Sequence, residues 1–186
     1  MAVIEVIQGD ITAVDVDVIV NAANSALAGG GGVDGAIHRA AGPGLHEACM
    51  KIAAEKRKAG GAYSEPCPTG EAVLTGAFNI RCKGIIHTAG PVWYGGGRGE
   101  RGLLASCYRN SLFLAQQAGF GSIAFPNIST GVYGYPKDQA AAVAVNTVRE
   151  TLPDCPGITR VVFVCFDREN YDLYMQTKAA EPGIDV

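Results

Sequence analysis

Two polar side chains of this 186-residue chain stand either side of a glycine run: Asn24, and Asp34 ten positions later, flanking Gly29 to Gly32. An amide can orient a hydroxyl group, and a carboxylate can take a proton from water. Four consecutive glycines let the backbone approach a ligand closely and turn successive N–H groups towards it. Ala36-Ile37-His38-Arg39-Ala40-Ala41 reads as the start of a helix, and a helix N-terminus adds free N–H donors and partial positive charge. Loop and helix together make a phosphate site. Asp34, in the first turn, is unusual there because bound phosphate repels a carboxylate. Alone it would read as a complement to the helix dipole. With Asn24 across the loop, the pair can orient a sugar hydroxyl and a water beside a phosphate.

These groups need elements that bring them together. Val16 to Val20 is an apolar run that reads as a buried strand and stops at the asparagines Asn21 and Asn24. Val3 to Ile7 reads as a first strand, followed by the turn Gly9-Asp10-Ile11-Thr12, where Asp10 suits a cap. Gly42-Pro43 breaks the first helix, and Leu45 to Lys58 forms a second. Ala72 to Thr75 and Gly84 to Thr88 read as strands, with His87 as a satisfied core histidine. Gly95 to Gly102 reads as a mobile loop, a flexible flap or an ordinary surface connection. A helix is expected over 103–118, then a strand over Ser122 to Phe125 that runs into Asn127-Ile128-Ser129-Thr130-Gly131-Val132-Tyr133-Gly134. Pro136 suits the first position of the next helix. Val161 to Cys165 is the last strand, closed by Phe166 and Asp167, and Asn170 to Met175 opens a terminal helix. The alternation predicts an α/β fold of three layers, with a mixed, mainly parallel sheet covered on both faces. Asp10, Asn24 to Asp34, Ser129 to Tyr133 and Phe166 then all follow strands, at the edge where open α/β sheets bind ligands.

Gly30-x-Gly32-x-x-Gly35 satisfies the dinucleotide fingerprint formally. That motif follows its strand directly and meets an acidic residue at the next strand end. Here Asn24 to Gly29 intervene, and Glu55 falls in a helical pattern, so the Rossmann reading is rejected.

Asn21-Ala22-Ala23-Asn24, with Gly29 to Gly32 followed by Val33-Asp34-Gly35-Ala36-Ile37-His38, resembles the MacroD-type macrodomains, and the likeness runs from Gly9 to about Tyr174. These are ADP-ribose-binding α/β domains. Bacterial members deacetylate O-acetyl-ADP-ribose and remove single ADP-ribose units from acidic protein side chains. The resemblance implies catalytic roles for Asn24 and Asp34. It implies an adenine contact from Asp10 with backbone help from Ile11, and adenine stacking on Phe166, where the family frequently has Tyr. Ser129, Thr130, Gly131 and Val132 would wrap the diphosphate, and Tyr133 would cover the distal ribose. Asn21, Gly30, Gly31, Gly32 and Val33 complete the expected ligand-binding set. His38, one turn after Asp34, is expected to be a packed or capping residue at the rim, and Tyr135 a packing residue.

Composition bounds the alternatives. One domain is expected over residues 1–178, with a frayed tail over 179–186. Hydrophobic content of 48% suffices for a full core. A net charge of −3 argues against direct nucleic-acid binding, and Glu55 interrupts the cluster of Lys51, Lys56, Arg57 and Lys58. Six cysteines fit no zinc spacing, the three histidines fall on different elements, and no cofactor or metal is expected. Met1 to Glu5 lacks the features of a secretory signal, and no apolar run reaches membrane-span length, so a cytoplasmic location with reduced thiols is expected. The expected partners are ADP-ribose and O-acetyl-ADP-ribose, with mono-ADP-ribosylated proteins as further substrates. A non-catalytic reader of ADP-ribose is the rival class, and a regulator acting through protein contact a third. A serine hydrolase centred on Ser129 fits poorly, because Asn127-Ile128-Ser129-Thr130-Gly131 lacks the first glycine of the nucleophile elbow.

Overall fold

The computed structural model describes residues 1–180. It contains β1 (Val3–Gln8), β2 (Val18–Ala23), α1 (Gly32–Ala41), α2 (Pro43–Gly60), β3 (Ala72–Thr75), β4 (Gly84–Ala89), α3 (Glu100–Gln117), β5 (Ser122–Phe125), α4 (Lys137–Thr151), β6 (Arg160–Cys165) and α5 (Arg168–Ala179). The sheet has six strands in the order β1-β6-β5-β2-β4-β3. All neighbours are parallel except the edge pair β3–β4. Five strands therefore point their carboxyl ends to one edge, and the expected α/β class, three layers and mainly parallel sheet are all present.

The alternation of each strand sorts its side chains into two cores. Val18, Val20, Ile86, Ile123, Phe125, Val161 and Phe163 face α3, α4 and α5, where they meet Leu104, Tyr108, Leu112, Ala144 and Tyr174. Ile19, Ile85, Ala124, Val162 and Val164 face α1 and α2, where they meet Ile37, Ala41, Leu45 and Cys49. The strands are apolar on both faces because helices cover both. Aromatic rings fill the first core: Tyr108 packs 5.0 Å from Phe125, and Phe163 5.1 Å from Tyr174.

Three boundaries differ from the sequence reading in ways that matter. The strand that should stop at the asparagines continues through Asn21 to Ala23. By period-2 alternation Asn21 therefore shares a face with Ile19, looking at α1. Pro136 caps α4 instead of occupying its first turn. The C-terminal helix runs to Ala179, with the Ala180 N–H bonded to the Gln176 carbonyl. The expected frayed tail thus begins inside ordered helix, and its remainder, 181–186, lies outside the described residues.

Helix α1 is held against the loop before it by a close approach at Gly35. A Cβ there would stand 2.7 Å from the Gly30 carbonyl oxygen and 3.1 Å from an Arg39 guanidinium nitrogen. Backbone cannot yield as a side-chain tip can, so Gly35→Ala is expected to cost about 1–3 kcal/mol. Urea denaturation of the two proteins measures it. Equal midpoints would mean that loop and helix separate freely.

Candidate functional site

The loops after β1, β6, β5, β2 and β4 line the carboxyl edge of the sheet in that order. Asp10 and Phe166 leave adjacent strands, since Gln8 pairs with Cys165 and the Gly9 N–H donates to the Cys165 carbonyl at 3.1 Å. Phe166 is 89% exposed, an apolar ring with no packing role. Asp10 caps the 3-10 turn Ile11–Ala13, accepting from the Thr12 N–H at 2.9 Å and the Thr12 hydroxyl at 2.7 Å, both on Oδ1. Ile11 is buried.

The Phe166 loop is tied to the next by a residue that sequence reading passed over. Asn127 Oδ1 accepts the Phe166 N–H at 3.2 Å, and Asn127 Nδ2 lies 3.6 Å from the Cys165 sulfur. Beyond it the chain turns sharply, with Ser129 at a φ of +66° and its carbonyl accepting the Tyr135 N–H at 2.9 Å. Among the described residues, the backbone N–H groups of Thr130 to Tyr133 have no acceptor. Val132 is fully exposed and Tyr133 half-buried. Ser129 differs from its neighbours: its hydroxyl is buried against Gly90 and has no hydrogen-bond partner among the described residues. No histidine activates it, which removes the geometric basis for a serine nucleophile. Tyr135 packs as expected, its ring 4.6 Å from Trp93.

The loop after β2 carries the two expected catalytic groups, each held differently. Asn24 spans its own loop: Nδ2 donates to the Gly29 carbonyl at 2.9 Å, and Oδ1 accepts the Ala28 N–H at 3.0 Å. One N–H and one lone pair remain for a further partner. Asp34, only 6% exposed, sits in the first turn of α1. Its Oδ1 accepts from Asn21 Nδ2 at 2.7 Å and lies 3.3 Å from His38 Nε2. Its Oδ2 faces the glycines, 3.5 Å from where a Cβ of Gly30 would stand. So one oxygen is occupied inside the fold and the other is turned towards the loop. The N–H groups of Gly32, Val33 and Asp34 begin the helix and have no intrahelical acceptor.

One expected role changes here. Asn21, expected to touch ligand, has no exposed surface and reaches Asp34 and His87 instead. Its place inside β2 points it under α1. His38, expected to be a packed or capping residue at the rim, packs against Asp34 with its Nε2 3.3 Å from Oδ1, as the i, i+4 spacing on one helix face allows. Cys49 lies nearby, and burial together with the Asp34 charge pushes its thiol up to about 11, so it is not a nucleophile at neutral pH. No cluster of three or more His, Cys, Asp or Glu with metal-holding geometry occurs among the described residues. No helix of the described residues is long and apolar enough to cross a membrane.

The Gly95–Gly102 loop, expected to be mobile, as a flexible flap or an ordinary surface connection, is anchored. Glu100 is buried and accepts three backbone N–H bonds, from Tyr94 at 3.1 Å, Gly96 at 2.7 Å and Arg98 at 2.6 Å. The Trp93 N–H then donates to the Tyr133 carbonyl at 2.8 Å, which joins this loop to the one after β5.

The Macro domain family profile matches residues 20–144. The chain is 53% identical over 178 residues to a Klebsiella pneumoniae (strain 342) protein named O-acetyl-ADP-ribose deacetylase, covering 96% of this chain and 97% of that protein. The Oceanobacillus iheyensis macrodomain with ADP superposes with a TM-score of 0.87 at 44% identity, covering 94% of this chain and 88% of that one. The Trypanosoma brucei macrodomain in complex with ADP-ribose superposes with a TM-score of 0.79 at 37% identity, covering 93% of this chain and 68% of that one.

The anchored loop makes a pH prediction. Burial raises the pKa of the Glu100 carboxyl, but the three N–H donors outweigh it and hold the group below its ordinary value. A carboxyl with a depressed native pKa stabilises fully above its unfolded pKa and loses that contribution as pH falls through its native one. Glu100→Gln is therefore expected to be less stable than wild type at pH 7, with the gap closing as pH falls below about 4.3. Thermal denaturation across that range checks it, and a gap independent of pH would contradict it.

Proposed function

The chain belongs to the Macro domain family, and on that premise we propose that it binds ADP-ribose along the carboxyl edge of its sheet and hydrolyses an ester on the distal ribose. The observation that carries this reading is Asp34: a buried carboxylate with Oδ1 held by Asn21 and His38 and Oδ2 turned to a glycine loop. The relatives' names and ligands, O-acetyl-ADP-ribose deacetylase and ADP-ribose, agree with it.

The order of loops supports a binding direction. Phe166 offers its exposed ring to adenine, and Asp10, one strand over, offers its second carboxylate oxygen to the exocyclic amine. A buried amine left without that acceptor would be costly, which favours adenine over bases lacking the donor. The N–H groups of Thr130, Gly131, Val132 and Tyr133 on one side, and of Gly30, Gly31, Gly32 and Val33 on the other, hold the diphosphate between β5 and β2. Ser129 serves this loop through its backbone turn, because its hydroxyl faces Gly90. The Tyr133 ring covers the distal ribose.

Asn24, with one N–H and one lone pair still open, orients a ribose hydroxyl. Asp34 Oδ2 takes a proton from a water beside it. The water oxygen bonds to the acyl carbon, the acyl–ribose C–O bond breaks, and the ribose oxygen takes the proton that Asp34 removed from the water. Acetate and ADP-ribose leave. The ester that joins ADP-ribose to an acidic side chain of a protein presents the same acyl carbon and is a further substrate class. The chemistry rests on Asp34 and its water and needs no metal ion.

Two measurements test the reading. General base catalysis is worth about 10²–10⁴-fold, so Asp34→Ala should lose about that much acetate release from O-acetyl-ADP-ribose, in buffer containing a chelator, while still binding ADP-ribose. No turnover by the wild type, with ADP-ribose still bound, would make the protein a reader and the enzyme reading wrong. Loss of turnover on chelation alone would remove metal independence. Phe166→Ala should weaken ADP-ribose binding by roughly 5- to 150-fold, the equivalent of one lost base–aromatic stack. Calorimetric titration measures it, and an unchanged Kd would place adenine elsewhere.

A further inference from the structure

Asp34 is the visible end of a longer buried chain. Asn21 and His87 are direct partners in the β2–β4 register and lie on the same face of the sheet. Asn21 Nδ2 therefore reaches both Asp34 Oδ1 at 2.7 Å and His87 Nδ1 at 3.1 Å. On its other side, His87 Nε2 meets Thr75 Oγ1 at 2.9 Å, across the antiparallel β3–β4 pair. The Thr75 hydroxyl lies 3.0 Å from the Gly76 carbonyl oxygen. Asn21 and His87 are fully buried, and Thr75 is nearly so.

The chemistry of each member sets the direction of every bond. A carboxylate only accepts, so Asp34 demands the amide nitrogen of Asn21. That nitrogen only donates, so His87 Nδ1 must accept. A neutral imidazole accepting at Nδ1 carries its proton on Nε2 and donates it to Thr75. The Thr75 hydroxyl then passes its own proton to the Gly76 carbonyl. The arrangement leaves Asn21 Oδ1 buried with no partner among the described residues. A free amide would flip to avoid that cost. The carboxylate on one side and the imidazole acceptor on the other forbid the flip. Burial, reinforced by His38, pushes His87 down to about 3, in keeping with a neutral ring at working pH.

We propose that Asn21, His87 and Thr75 form a positioning relay that holds Asp34 Oδ1 inside the fold and so keeps Oδ2 aimed at the glycine loop, with His87 locked in the Nε2–H tautomer. The relay rests on the assignment of Asp34 as the base. None of its members touches substrate. If Thr75 cannot accept, the His87 proton is free to move to Nδ1. It then faces the Asn21 amide nitrogen, donor against donor, and the amide must turn its oxygen towards the ring and the carboxylate. Asp34 loses its anchor without any change at the surface of the site. A histidine that merely satisfied the core would transmit nothing of this kind.

Thr75→Val keeps the shape of the side chain and removes the hydroxyl, and Thr75→Ser restores it. For O-acetyl-ADP-ribose turnover, Thr75→Val should lower kcat about tenfold with KM unchanged, the weight of one hydrogen bond expressed in the transition state, and Thr75→Ser should recover it. Nitrogen-15 NMR of the unliganded proteins reads the tautomer directly: Nε2–H for wild type and Thr75→Ser, a shift towards Nδ1–H for Thr75→Val. Wild-type His87 protonated at Nδ1, or Thr75→Val with wild-type kcat, would overturn the relay. If the wild type does not turn over the ester, the functional reading fails. The relay is then decided by the NMR tautomers alone: Nε2–H in wild type and Thr75→Ser with a shift towards Nδ1–H in Thr75→Val supports it, and any other pattern overturns it.

Discussion

The bond between Asn21 and Asp34 is the constraint on which the rest of the site depends. It joins the middle of the sheet to the first turn of α1, at 2.7 Å, between two groups with almost no access to solvent. A carboxylate at a helix N-terminus is ordinarily a solvated complement to the dipole. Here it is buried beside a glycine loop that, in the proposed reading, receives phosphate, where repulsion would turn it away. Fixing one oxygen with a neutral donor leaves the other free to act without adding a cation that would quench it. His38, on the same helix face, approaches the same oxygen and leaves Oδ2 untouched.

The surrounding loops serve that arrangement by being joined to one another. Asn127 ties the Phe166 loop to the loop after β5, the Trp93 N–H ties that loop to the one after β4, and Glu100 holds the latter closed on itself. Gly35 lets the glycine loop lie against α1 with no side chain between. The binding edge is thus a preorganised frame, and ordering cost on binding is correspondingly small. In the proposed reading, the order of loops from β1 to β4 follows base, diphosphate and distal ribose.

Much of this was legible in the chain itself. Alternation of apolar runs and helical spacing gave the fold class. The long match around Asn24, the glycines and Asp34 gave the family before any coordinates. What escaped had a common cause: the signal was pairing between distant strands. His87 read correctly as a satisfied core histidine, but nothing in its neighbourhood says that its partners are Asn21 and Thr75, which only the β2–β4 and β3–β4 pairings bring alongside. Asn21, expected among the ligand contacts from the resemblance, lies within β2, which runs three residues past Val20 and turns its side chain to the interior. Glu100 was invisible because a glycine-rich stretch reads as mobile until a buried carboxylate collects its N–H groups. His38 was within reach, since i, i+4 spacing from Asp34 places it on the same face.

The central claim is that a water activated by Asp34 attacks the acyl carbon directly. A single turnover of O-acetyl-ADP-ribose in oxygen-18 water, with enzyme in excess, tests it most directly. The account predicts one heavy oxygen in the released acetate, and none in ADP-ribose or in the protein. Label in the ribose would mean that the sugar carbon is attacked. Label retained in the peptide containing Asp34 would mean that the carboxylate is a nucleophile and not a base, and either result would contradict the account.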